Sequence, residues 1–267
     1  NNASGGTSDK NISVLGSDIT PAAAVPAIDD VQDNSLFVEK DTARRYWFSE
    51  ALAPTFEDDF STDDWSHLGE NNISNGVLNW EGERDGTNDS SAYDLGSLDN
   101  QWVLRTTLTI DSISTPSSAS HKWFFGISDS DETVGGNSNS DSVGFTVVAD
   151  GGGTNYLRVG DSDGAPNVNI NDSNLLTPTA TTYYLEIIHN SSTEAVFNIY
   201  SDSNYSTLLA TNTHTIPSTV TGLQYIKINN NDNSSISGGS LNGTIDDVKF
   251  YNGVTTATPA TWTMQPT

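Results

Sequence analysis

Cysteine is absent from the 267 residues, which excludes a disulfide framework, a thiolate metal site and a cysteine nucleophile. Other staples must hold a fold of this size: sheet closure, calcium on surface carboxylates, or subunit association. Basic residues are scarce, with 10 Lys and Arg against 35 Asp and Glu and a net charge of −25. So acidic a surface does not displace the counterions of nucleic acid or of an anionic membrane, and neither is expected as a partner. No apolar run approaches the ~18 residues of a membrane span. No Ser nucleophile elbow and no glycine-rich phosphate loop is present. The four histidines, His67, His121, His189 and His214, are far apart in the sequence and read as surface or strand-end residues.

What the chain does contain is alternation. From residue 56 onward, short runs of period two are separated by Gly, Asn, Asp and Ser clusters, the pattern of half-buried strands joined by turns. In Trp102–Ile110 the even positions suit an inward face, while Arg105, Thr107 and Thr109 face water. Similar runs cover 77–80, 122–128, 143–148, 156–159, 183–188, 195–200 and 224–228. With an opening and a closing strand this makes about ten, too many for one open sheet and suited to two sheets packed face to face. No segment carries a convincing amphipathic helix, which argues against an alternating α/β fold.

The closing segment Gly243-Thr244-Ile245-Asp246-Asp247-Val248-Lys249-Phe250-Tyr251-Asn252 resembles the last strand of laminin-G-like, concanavalin-type jelly-roll domains. Phe56-Glu57-Asp58-Asp59-Phe60 is similar to the opening strand that pairs beside it. The resemblance implies an all-β, two-sheet antiparallel jelly-roll sandwich over residues 56–253. Residues 1–30 read as an extended N-terminal arm and 31–55 as a β-hairpin and linker. Residues 254–267 read as a tail, either an extended cover strand or an assembly contact. The hairpin carries three of the ten basic residues, Lys40, Arg44 and Arg45, and looks like the display hairpins of viral tail and coat proteins.

Such a fold hosts many functions, so the sites must decide. Glycanases of the superfamily place two carboxyls about 5 Å apart. Here Glu81-Gly82-Glu83 has the wrong spacing, and no enzyme activity is expected. For calcium, a rim loop with Asp129, Asp131 and Asp141 offers hard oxygen donors, as do Asp161/Asp163 and the end pairs Asp58/Asp59 and Asp246/Asp247; the alternative is that these are solvated turns. Trp102 and Trp123 fall in core register, whereas Trp65 and Tyr93, in polar surroundings, are the aromatics expected to be exposed for ligand binding. Sequons stand at Asn2 and Asn11 and at the glycosylation candidates Asn72, Asn88, Asn171, Asn190, Asn204, Asn233 and Asn242.

The leading expectation is a non-enzymatic, extracellular or virion-surface structural subunit. It would assemble with itself into a filament, coat or spike through arm residues Ile12, Val14, Leu15, Val25 and Ile28, by adding a strand to a sheet edge. Docking of the arm on its own domain is the alternative. The chain begins at Asn1, a start that a cleaved signal peptide would explain. The second reading is a carbohydrate-binding or adhesion module for cell-surface glycans, with or without calcium. A diverged glycan hydrolase is the third.

Overall fold

The structure is a computed structural model that describes residues 36–38, 44–49, 51–83, 89–117, 119–131, 140–165, 173–230, 237–257 and 261–264. The arm residues Ile12, Val14, Leu15, Val25 and Ile28 lie outside these, as do Asn88, Asn171 and Asn233. No helix occurs among the described residues, so none there is long and apolar enough to cross a membrane.

Two units are distinguished, residues 54–256 on one hand and 1–53 with 257–267 on the other. In the smaller unit β1 (Leu36–Val38) and β2 (Arg45–Ser49) are antiparallel with Phe37 opposite Tyr46. The last strand of the chain, β18 (Thr261–Met264), pairs along the other edge of β2. Two strands of the expected hairpin therefore pair, and the C-terminal tail adds a third strand to β2.

The larger unit is the sandwich. Its strands are β3 (Phe56–Asp58), β4 (Ser66–Leu68), β5 (Asn72–Ser74), β6 (Val77–Glu81), β7 (Ser90–Asp94), β8 (Trp102–Ser114), β9 (Ser120–Ser128) and β10 (Ser140–Asp150). They continue with β11 (Asn155–Ala165), β12 (Ser173–Leu176), β13 (Thr182–Ser191), β14 (Glu194–Tyr200), β15 (Leu208–Thr215), β16 (Tyr225–Asn230) and β17 (Ser240–Asn252). One sheet has the order β12-β11-β10-β9-β16-β7-β4; the other runs β15-β14-β13-β8-β17-β6-β5, with β3 added to β17. Phe56 stands opposite Phe250 and Asp58 opposite Val248, so the opening and closing strands lie side by side as expected.

Period-two alternation sends one face of each strand into the space between the sheets. Leu104, Leu108 and Ile110 of β8 are buried there with Leu185, Ile187, Phe197, Ile245 and Phe250 from neighbouring strands. Phe125, Ile127, Phe145 and Val147 come from the facing sheet. Trp80 stacks on Trp123 with ring centroids 4.3 Å apart, and Phe145 meets Phe197 edge-on at 5.3 Å. Pairs of this kind contribute about 0.5–1.5 kcal/mol beyond the burial of their area. The outer face of the seven-stranded sheet also carries a buried ring, Phe124. It lies over Gly126 and Gly144, where a Cβ would come within 2.9 and 2.6 Å of the ring.

Arg105 points away from the core, as its register predicts, but it is not a free surface charge. It bonds the buried Glu186 at 2.6 Å and lies 4.2 Å over the Tyr205 ring. Asn198 Nδ2 and the Tyr200 hydroxyl donate to the other Glu186 oxygen at 2.8 and 3.0 Å. Burial and the neighbouring carboxylate push the Tyr200 phenol up to about 12.

Candidate functional site

A run of aspartates shapes the chain after β3. Asp58 Oδ1 accepts the Phe60 N–H at 2.7 Å, Asp59 Oδ1 the Ser61 N–H at 3.0 Å, and Asp63 Oδ1 the Trp65 N–H at 3.3 Å. These side-chain turns substitute for backbone pairing. They swing Trp65 back under the strand, where its Nε1–H donates to Asp58 Oδ2 at 2.7 Å. Trp65 is therefore buried, at 6% exposure, contrary to the expectation from its polar neighbours: those neighbours fold over the ring.

Tyr93 of β7 behaves differently. It is half-buried, stacks on Phe56 at 4.2 Å and touches the rim of Trp65 at 5.7 Å. Both Tyr93 and Phe56 line a pocket of about 540 Å³ that is otherwise polar, with Glu57, Asp58, Asp59, Asp64, Asp247 and Lys249 on its walls. Trp102 and Trp123 are buried at 1% and 0% exposure, in the register read for them.

The pocket exists because β17 bulges. Asp246 pairs with Thr107 and Lys249 with Arg105, so two residues of β17 oppose one of β8. Asp247 adopts a left-handed φ of 53° there, a conformation that Asp tolerates better than most residues. The bulge turns the Asp247 carboxylate to the pocket, where Lys249 Nζ meets it at 2.8 Å. Asp246 Oδ1 accepts the Asp247 N–H at 2.7 Å, and burial pushes the Asp246 carboxyl up. Hydrogen bonds from Ser61 hold Asp59 below the ordinary carboxylate value. The sequence pointed to Asp58/Asp59 and Asp246/Asp247 as a pair of ends; it did not show that Phe56, Asp64 and Lys249 join them.

Two of the rim aspartates read as calcium ligands, Asp129 and Asp141, accept backbone hydrogen bonds. Asp141 Oδ1 accepts the Gly164 N–H at 2.9 Å and its Oδ2 the Thr221 N–H at 2.8 Å, while Asp129 Oδ1 accepts the Asp141 N–H at 3.0 Å. Their oxygens tie loops together, and Asp131 is exposed beyond them. Burial, opposed by the Lys227 charge, leaves the Asp129 carboxyl raised. Among the described residues no group of three or more acids, histidines or cysteines is arranged to hold a metal.

Glu81 ends β6 and Glu83 follows it, near Glu70 and Asp89. Glu83 Oε1 accepts the Leu241 N–H at 3.2 Å, and Asp89 is held by the Glu70 N–H at 2.5 Å and by Asn230 at 2.6 Å. Among the sequons, Asn72 and Asn204 are exposed and Asn190 and Asn242 are half-buried.

No protein-family model and no curated protein sequence matches the chain. Solved structures match its fold. The carbohydrate recognition domain of Emp47p is 14% identical with a TM-score of 0.51, over 81% of this chain and 100% of that one. Peanut lectin, crystallised with a nonapeptide, is 10% identical with a TM-score of 0.51, over 82% and 100%. The exoplasmic/lumenal domain of VIP36 in its Ca²⁺/Man2-bound form is 11% identical with a TM-score of 0.50, over 79% and 90%. The fold is thus a concanavalin-like jelly roll of the legume-lectin kind.

Proposed function

We propose that the sandwich is a non-enzymatic carbohydrate-binding module, with its ligand seated against Tyr93 and Phe56 and its hydroxyls donating to Asp59, Asp64 and Asp247. The observation that carries this reading is the half-buried aromatic pair in the wall of a carboxylate-lined pocket of about 540 Å³. A sugar ring offers an apolar C–H face and a rim of O–H donors, and the pocket offers a complement to each. The likeness to lectin structures supports it. Cell-surface glycans in an extracellular setting suit this reading. Self-association through the N-terminal arm stands as a separate proposal, outside the described residues.

Removing about 60 Å² of ring contact, at about 25 cal/mol per Å², corresponds to about 1.5 kcal/mol, or roughly tenfold in affinity. Glycan-array screening followed by calorimetry is the test. Tyr93→Ala is expected to weaken binding about tenfold, and Asp64→Ala, at an exposed position, to weaken it without disturbing the fold. Binding unaffected by both substitutions, or no glycan bound, would overturn the reading. Because protein carboxylates accept the hydroxyls directly, EDTA is expected to leave the affinity unchanged.

A further inference from the structure

The Phe56–Tyr93 pair is a partition and not an end wall. Both residues also line a narrower hollow of about 190 Å³ that includes Leu98. Leu98 in turn borders a cleft of about 430 Å³ lined by Trp102, His189 and the 220–224 loop. Asp99, Asn100 and Ser192 carry on from that cleft into another of about 410 Å³, beside Asn190 and Gly253. Sites for small ligands run about 300–1,000 Å³. The three larger concavities each reach that size, and the smaller hollow shares lining residues with two of them.

The walls are fixed in advance. Asp99 N–H donates to Asn252 Oδ1 at 2.9 Å, Gln101 Nε2 to the Asn190 carbonyl at 3.2 Å, and Gly253 N–H to the Gln101 carbonyl at 2.8 Å. A preformed groove spares a ligand the ordering cost of closing one. At its floor, His189 is 5% exposed and stacks on Trp102 with centroids 4.7 Å apart and planes 1° from parallel. Its Nδ1–H donates to the Asn100 carbonyl at 2.8 Å. In the neutral ring this leaves Nε2 as an acceptor, and it has no hydrogen-bond partner among the described residues. Burial lowers the imidazole pKa and so favours that neutral form. Nε2 is not sealed from solvent, so a ligand hydroxyl in the cleft can reach it and donate to it.

We propose that these concavities form one trough for a linear, uncharged oligosaccharide, which runs from the Tyr93 pocket over Leu98 to His189 and Ser192. This rests on the carbohydrate reading above and extends it from a single sugar to a chain. The carboxylates of Asp59, Asp64, Asp99 and Asp247 along it, against Lys249, repel acidic glycans and so select for neutral ones.

Calorimetry on the full chain with linear gluco- and manno-oligosaccharides of two, four and six units, and with an oligogalacturonate as the acidic counterpart, tests the trough. The hexasaccharide is expected to bind at least about tenfold tighter than the disaccharide, equivalent to filling one more concavity, and the oligogalacturonate not to bind. Ser192→Trp places bulk in the trough from an exposed turn position and is expected to bring the hexasaccharide-to-disaccharide affinity ratio close to one. His189→Gln should reduce the same ratio, with thermal unfolding as its folding control. A length-independent affinity that still falls in Tyr93→Ala would overturn the trough and leave the carbohydrate reading standing. A ratio unchanged in Ser192→Trp, or oligogalacturonate binding, would also overturn the trough. Absence of binding at every length would overturn both.

Discussion

Glu81 gives the sharpest test of the electrostatics. Burial, a hydrogen bond to the Glu70 carboxylate, and repulsion from Glu83, Glu70 and Asp89 push its carboxyl up from 4.5 to about 8. Between those values the folded protein holds a proton that the unfolded chain has released. The associated stability is complete below about pH 4.5 and is lost as pH rises to about 8. A change of that size would correspond to about 5 kcal/mol if solvent screened nothing. Glu81 is only half-buried, so screening reduces the expected effect to about 1–2 kcal/mol. Glu81→Gln mimics the protonated form without titrating. Urea denaturation at constant salt across pH 5–9 should therefore show a variant-minus-native stability difference that grows with pH, by about 1–2 kcal/mol in favour of the variant. Comparing differences cancels the titration of the other acids. A difference that stays constant across the range would refute the shared proton.

Arg105→Met strands the Glu186 carboxylate, whose side chain is 4% exposed, and is expected to cost about 3 kcal/mol in equilibrium unfolding, part of it recovered when Glu186→Gln is added, whose amide oxygen still accepts from Asn198 and Tyr200. Gly144→Ala brings a methyl against the Phe125 backbone carbonyl and the Phe124 ring and should lower stability by about 1–3 kcal/mol, whereas Gly153→Ala, with open space but a φ of +93°, should cost only the backbone strain. Deleting residues 1–30 is expected to leave glycan affinity intact, because the pocket lies within residues 54–256; sedimentation of the same protein tests self-association separately.

Much of the sandwich was legible because its long strands bury one face. Trp102, Leu104, Leu108 and Ile110 declared the inward side of β8, and the acidic, amphipathic ends declared their own pairing. Most strands that escaped were short or lay at sheet edges, and the interior β7 escaped because its buried Ser90 and Ser91 are polar. β4 and β5 have three residues each, and β15, with Leu208 and Leu209 exposed, shows no buried alternation for a sequence to reveal. Trp65 misled because polar neighbours normally mean exposure, yet Asp58 and Asp63 turned the chain so as to cover the ring. His189 was unreadable alone: its burial comes from lying opposite Trp102 in the β13–β8 register, a long-range pairing. The Glu70, Glu81, Glu83 and Asp89 cluster likewise joins residues that only the sheet brings together.

The β3–β17 pairing also has a mechanical consequence. With Phe56 opposite Phe250 and the Thr55 N–H on the Phe250 carbonyl at 2.7 Å, the start and finish of the sandwich lie side by side. A pull on these two ends loads the ladder from its open side, so its hydrogen bonds part in succession, as in a zip, instead of resisting together in shear. The same adjacency lets residues 54–256 sit within another chain as an insert without spanning a distance between its ends.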